Sequence, residues 1–95
     1  MLISSSLLIA EVIIDVRTPE EFQSARLNKA INIEWQNILS IQNNINKTEK
    51  IYLYCRSGNR SQRATEILVD AGFVNVENLG SLQQASETLN LKIIK

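Results

Sequence analysis

Cys55 is the only cysteine in a chain of 95 residues that has no histidine, and it begins the run Cys55-Arg56-Ser57-Gly58-Asn59-Arg60-Ser61. The apolar stretch Ile51-Tyr52-Leu53-Tyr54 precedes it and a helix-like segment follows, which predicts a thiol at the junction of a buried strand and a helix start. Backbone N–H groups converge at such a junction, and the helix dipole adds positive potential. Arg56, Arg60 and Arg63 lie within eight residues of the sulfur, and no acid intervenes before Glu66. Both influences favour the thiolate, which is the nucleophilic form. With no imidazole to take the proton, the loop must ionise the sulfur by electrostatics. Gly58 and Asn59 tolerate positive φ, as a cradle of inward-pointing amides requires. The candidate site is therefore Cys55 as nucleophile, with Arg56, Ser57, Gly58, Asn59, Arg60 and Ser61 around a bound anion.

The surrounding pattern alternates strands with helices. Val12 to Val16 is a β-branched run without clean alternation, as in a parallel strand covered on both faces. Thr18-Pro19-Glu20-Glu21 reads as a helix start, with Thr18 as N-cap and Glu21 closing a capping box, and the helix should end near Ala25. Ala30 to Ile33 reads as a second strand. Trp35, Ile38, Leu39 and Ile45 fit the apolar face of an amphipathic helix. Ile51 to Tyr54 is the third strand, and Ala64, Ile67, Leu68 and Ala71 mark a helix with Gly72 at its C-terminal cap. A fourth strand ends near Leu79, Leu82 to Leu89 forms a weaker helix, and Leu91 to Lys95 is either a last strand or packed coil. The expected fold is one α/β domain over 1–95, a mainly parallel sheet of four to five strands with helices on both faces. Ligands bind beyond the carboxyl ends of such strands, where Cys55 falls. Asp15 and Arg17, at the end of the first strand, are candidates for a supporting role, with a structural ion pair the favoured reading. Trp35, Tyr52 and Tyr54 read as packing residues, one of the tyrosines lining the pocket wall at most.

Ten basic and ten acidic residues cancel, so nothing in the overall charge points to nucleic acid or to an acidic membrane surface. A single cysteine excludes an internal disulfide and an internal resolving thiol. Residues 1–10 are apolar, carry no Lys or Arg and are too few to cross a bilayer. They read either as a first strand at a leader-free N-terminus or as the tail of a signal peptide, so the compartment stays open between cytoplasm and periplasm.

Cys55-Arg56-Ser57-Gly58-Asn59-Arg60 resembles the active-site loop of the rhodaneses. Ile14-Asp15-Val16-Arg17-Thr18-Pro19-Glu20-Glu21-Phe22 is similar to that family's amino-terminal signature, and Ala30-Ile31-Asn32-Ile33, Glu66 to Gly72 and Val76-Glu77-Asn78 with Gly80 extend the match over about Val12 to Leu89. The compact size and the C-terminal pattern look most like the phage shock protein E type of single-domain rhodanese. Two places depart from the family. Arg26-Leu27-Asn28-Lys29-Ala30 stands where His-x-x-Gly-Ala is usual, and Gly80-Ser81-Leu82 replaces an aromatic signature. The resemblance implies a thiosulfate sulfurtransferase. The Cys55 thiolate would take the sulfane sulfur, and a persulfide would then pass it to cyanide or a thiol. Arg56 and Arg60 would hold the dianionic donor. It implies no metal or organic cofactor, no nucleic acid or membrane partner, and a monomer.

Two other readings compete. A cysteine-dependent phosphatase or arsenate reductase needs arginine after five intervening residues, and Ser61 occupies that place, with Arg60 one residue early. A non-enzymatic rhodanese-like module that carries sulfur or binds a partner would usually lose the cysteine, which this chain keeps.

Overall fold

The computed structural model describes residues 11–95, so the alternatives for residues 1–10 lie outside the described residues. Four strands form one parallel sheet: β1 (Glu11–Asp15), β3 (Ile31–Asn32), β4 (Lys50–Cys55) and β5 (Val76–Ser81), in the order β3-β1-β4-β5. Between them run helices α1 (Pro19–Ser24), α2 (Asn59–Asp70) and α3 (Leu82–Leu89), and a 3-10 helix over Trp35–Asn43. A separate antiparallel ladder joins β2 (Arg26–Leu27) to β6 (Ile93–Ile94). The fold is thus α/β with a four-stranded parallel sheet, as expected from the alternation.

Successive residues of a strand face opposite sides, and here both sides are apolar. Ile14, Val16, Ile51, Leu53 and Cys55 pack with Ile38, Ile41, Ala64, Leu68 and Phe73, under the 3-10 helix and α2. Ile13, Tyr54 and Leu79 pack with Leu27 and Ala85 on the other side, under α3 and the β2–β6 ladder. The chain leaves β1 for β3 on one flank and returns to β4 on the other. That reversal puts the carboxyl ends of β1 and β4 side by side, the position where open α/β sheets bind ligands.

Two local expectations need correction. The segment after Trp35 is 3-10 rather than α-helical, and Leu39 is 41% exposed instead of facing the core, where Ile38 and Ile41 lie. The strand at Arg26–Leu27 had no counterpart in the sequence pattern. Its two residues are too few for any periodicity, and only β6 defines it. Among the described residues, no helix is long and apolar enough to cross a membrane.

Candidate active site

Cys55 is the last residue of β4, and α2 begins four residues later. The first N–H groups of a helix have no partner within it and call for an N-cap acceptor. Gly58 occupies the N-cap and has no side chain to offer. The Cys55 sulfur takes that place. Gly58 N donates to Sγ at 3.0 Å, Ser61 N at 3.4 Å and Ser61 Oγ at 3.3 Å. The loop can turn tightly enough because Gly58 adopts φ +98°, and a Cβ there would meet Gly80 Cα at 3.4 Å. Asn59, expected to share that conformation, instead starts the helix.

Burial is the largest influence on the Cys55 thiol and pushes its pKa up. The Ser61 hydroxyl and the Ser61, Ser57 and Gly58 amides together outweigh it, so the net direction is down. The thiolate is therefore favoured by hydrogen bonding at a site with no base. Cys55 is nonetheless 0% exposed. A donor can touch Sγ only after the residues that cover it yield.

The three arginines do not act together. Arg63 lies over the Trp35 ring, 5.7 Å from its centroid. Arg60 forks onto Glu21 of α1, with Nη1–Oε1 2.8 Å and Nη2–Oε2 3.1 Å. Glu21 also completes the expected capping box with Thr18, accepting from Thr18 N at 3.0 Å while Glu21 N donates to Thr18 Oγ1 at 3.2 Å. The local excess of positive charge read from the loop is thus partly cancelled by an acid 39 residues away. Arg60 does not stand open for a donor, as the sequence reading had it. Arg56 is exposed, has no ion pair among the described residues, and lines an open cleft of about 390 Å³ with Arg17, Glu20, Glu21, Ser24 and Ala25. Another hollow, of about 310 Å³, lies between Glu11, Ile13, Lys29, Leu89 and Leu91, away from Cys55.

Asp15 and Arg17 form the structural pair favoured by the sequence reading. Arg17 Nε and Nη2 grip the fully buried carboxylate at 2.9 and 2.7 Å, and Arg17 N donates to Oδ1 at 2.9 Å. Arg17 Nη2 also reaches Ala25 O, which ties the end of β1 to the end of α1. No hydrogen bond runs from this pair to Cys55. Tyr54 is fully buried beneath the Arg17 guanidinium, its oxygen accepting from Leu27 N at 3.0 Å, and burial pushes its pKa up.

Sequence reasoning missed Asn78 as a site residue. From β5 it reaches Ser61 Oγ through Oδ1 at 2.7 Å, and its Nδ2 donates to Gly58 O at 3.1 Å. The only signal was Asn78's place in the C-terminal resemblance, which carries no geometry. Among the described residues, no group of three or more His, Cys, Asp or Glu side chains gathers to hold a metal.

The family model of the rhodanese-like domain matches residues 4–87, and the chain belongs to that family. Thiosulfate sulfurtransferase PspE of Escherichia coli is 38% identical over 76 residues, covering 78% of this chain and 73% of that protein. Adenylyltransferase and sulfurtransferase UBA4 of Meyerozyma guilliermondii is 40% identical over 76 residues, 72% of this chain; the chain spans only 18% of its length. Among solved structures, a rhodanese with anions from E. coli superposes with a TM-score of 0.78 at 33% identity, covering 90% of this chain and 99% of the other. The chain is thus a rhodanese-like domain with sulfurtransferase relatives, and its one cysteine is where a persulfide could form.

Proposed function

We propose that this chain is a thiosulfate sulfurtransferase that works through a persulfide on Cys55. The observation that carries the reading is the set of Gly58 and Ser61 donors aimed at a single sulfur, at the carboxyl end of β4. The Cys55 thiolate attacks the outer sulfur of thiosulfate, a new S–S bond forms, and sulfite leaves with the electron pair of the broken one. The terminal sulfur then carries the negative charge, and the amides that held the thiolate are placed to hold it. Cyanide, or a thiolate in its place, attacks that outer sulfur, and thiocyanate or a new persulfide departs as Cys55 is restored.

In this reading Arg56, exposed at the cleft, draws the dianion in. Arg60 contributes through its pair with Glu21 and fixes the loop against α1. Ser57, Gly58, Asn59 and Ser61 supply backbone and shape. PspE, at 38% identity, is itself named for thiosulfate, which supports the same donor here.

Thiocyanate formation from thiosulfate and cyanide tests the reading. The wild-type chain should produce it and Cys55→Ser should not, with the variant's circular dichroism unchanged. A wild-type chain that forms none, or a variant as active as the wild type, rejects the proposal.

A further inference from the structure

Ser61 Oγ carries one proton and has three acceptors around it: Asn78 Oδ1 at 2.7 Å, Gly58 O at 3.2 Å and Cys55 Sγ at 3.3 Å. It can satisfy only one of them fully at a time. Asn78 is not free to turn away. Its Nδ2 donates to Gly58 O and to Gln62 Oε1, each at 3.1 Å, and its Oδ1 also accepts from Gly80 N at 2.9 Å. A flipped amide would set its NH₂ against the Gly80 N–H and its oxygen against the Gly58 carbonyl, so the hydrogen-bond network assigns the orientation.

The two protonation states of Cys55 make opposite demands on this serine. A thiol donates its own S–H to Ser61 Oγ and leaves the Ser61 proton on Asn78. A thiolate calls for the Ser61 proton on Sγ, which gives up the 2.7 Å bond to Asn78. We propose that Asn78 is a positioning residue that competes with Cys55 for the Ser61 proton and so sets how far the sulfur is ionised. Withholding one donor keeps the thiolate more basic and hence a stronger nucleophile. The catalytic consequence rests on the sulfur-transfer reading; the competition itself does not.

Of the charged groups on the surrounding elements, Arg60 on α2 couples to the sulfur and is paired with Glu21 on α1, Arg56 lies in the loop, and the Asp15–Arg17 pair sits at the end of β1. None of them hydrogen-bonds Ser61 or Asn78, so changing either of these two leaves that field in place.

Cys55 is the sole thiol, and its ultraviolet thiolate absorbance can be titrated directly, with Cys55→Ser as the blank for the two tyrosines. Ser61→Ala removes a donor and should raise the Cys55 pKa by about 1. Asn78→Ala removes the competing acceptor and should lower it by about 0.5. Asn78→Leu, of similar size and without an acceptor, should lower it as well. Mere loosening of the loop would draw amides away from the sulfur and raise the pKa in both alanine variants. A rise or no change in Asn78→Ala therefore overturns the proposal. If that variant does not fold, an unchanged or raised pKa in Asn78→Leu overturns it equally. The titration uses no sulfur donor, so its outcome is separate from whether thiosulfate is the substrate.

Discussion

Replacing Glu21 with glutamine removes the charge that Arg60 grips while keeping the helix start intact, because Gln serves the third position of a capping box as Glu does. Hydrogen bonds from Arg60 do most to stabilise the carboxylate, burial opposes them, and the Thr18 amide and hydroxyl assist; the pKa falls from 4.5 to about 2. Each tenfold in acidity is worth about 1.4 kcal/mol, which sets a ceiling of about 3 kcal/mol on the stability this charge supplies. The two side chains are 31% and 27% exposed, and solvent screening brings the expected loss to about 1–2 kcal/mol. For a domain of this size that is a fall in Tm of about 5–10 °C. The folded pKa is depressed, so the contribution is complete above the unfolded value of about 4.5 and is lost as pH falls through about 2. Urea unfolding followed by Trp35 fluorescence, run at neutral pH and near pH 2, reads both effects. The gap between wild type and Glu21→Gln should be open at the first pH and closed at the second. A gap of equal size at both would show that the charge is not what glutamine removes. The same variant loosens the tie between the loop and α1 and should raise the apparent KM for thiosulfate; an unchanged or lowered KM would show that the pair does not hold the loop in its binding shape.

Arg56→Ala should raise the apparent KM for thiosulfate about fivefold, the effect of one exposed charge, with kcat nearly unchanged; an unchanged KM removes Arg56 from donor binding. Asp15→Ala leaves the Arg17 guanidinium, 7% exposed, without its partner and should cost about 3–5 kcal/mol in urea unfolding. A loss under about 1 kcal/mol would mean that the pair does not brace the β1 end. Lys29 holds φ +75°, so Lys29→Gly should relieve left-handed strain and gain about 0.5–1 kcal/mol despite glycine's greater unfolded-state entropy. A loss of stability there would show that the Lys29 side chain, rather than the backbone, carries the turn.

What could be read from the residues in order was what local chemistry determines. β1 and β4 were legible as β-branched and apolar runs, α1 from its capping box, and α3 over the residues it occupies. The loop after Cys55 was legible as a cradle because Gly58 sits where the chain must take positive φ and the helix lacks a capping side chain. Lys29 falls where the family has glycine, a departure visible in sequence whose meaning appears only with its backbone angle. What was not legible came from distant parts of the chain. Glu21 meets Arg60 across 39 residues and Asn78 meets Ser61 across 17, and no local pattern encodes either. Full burial of Cys55 belongs to the same class, since it depends on packing among residues from distant parts of the chain. The 3-10 helix was misread because Trp35, Ile38, Leu39 and Ile41, over so short a segment, fit either helical period.

The central claim is that the loop makes Cys55 reactive enough to take and hold a sulfur atom, and the intact mass of the chain after exposure to thiosulfate tests it most directly. The expected result is a wild-type protein heavier by one sulfur atom, returned to its original mass by cyanide, with no gain in Cys55→Ser. A wild-type mass that does not change, or a gain that persists in Cys55→Ser, would contradict it.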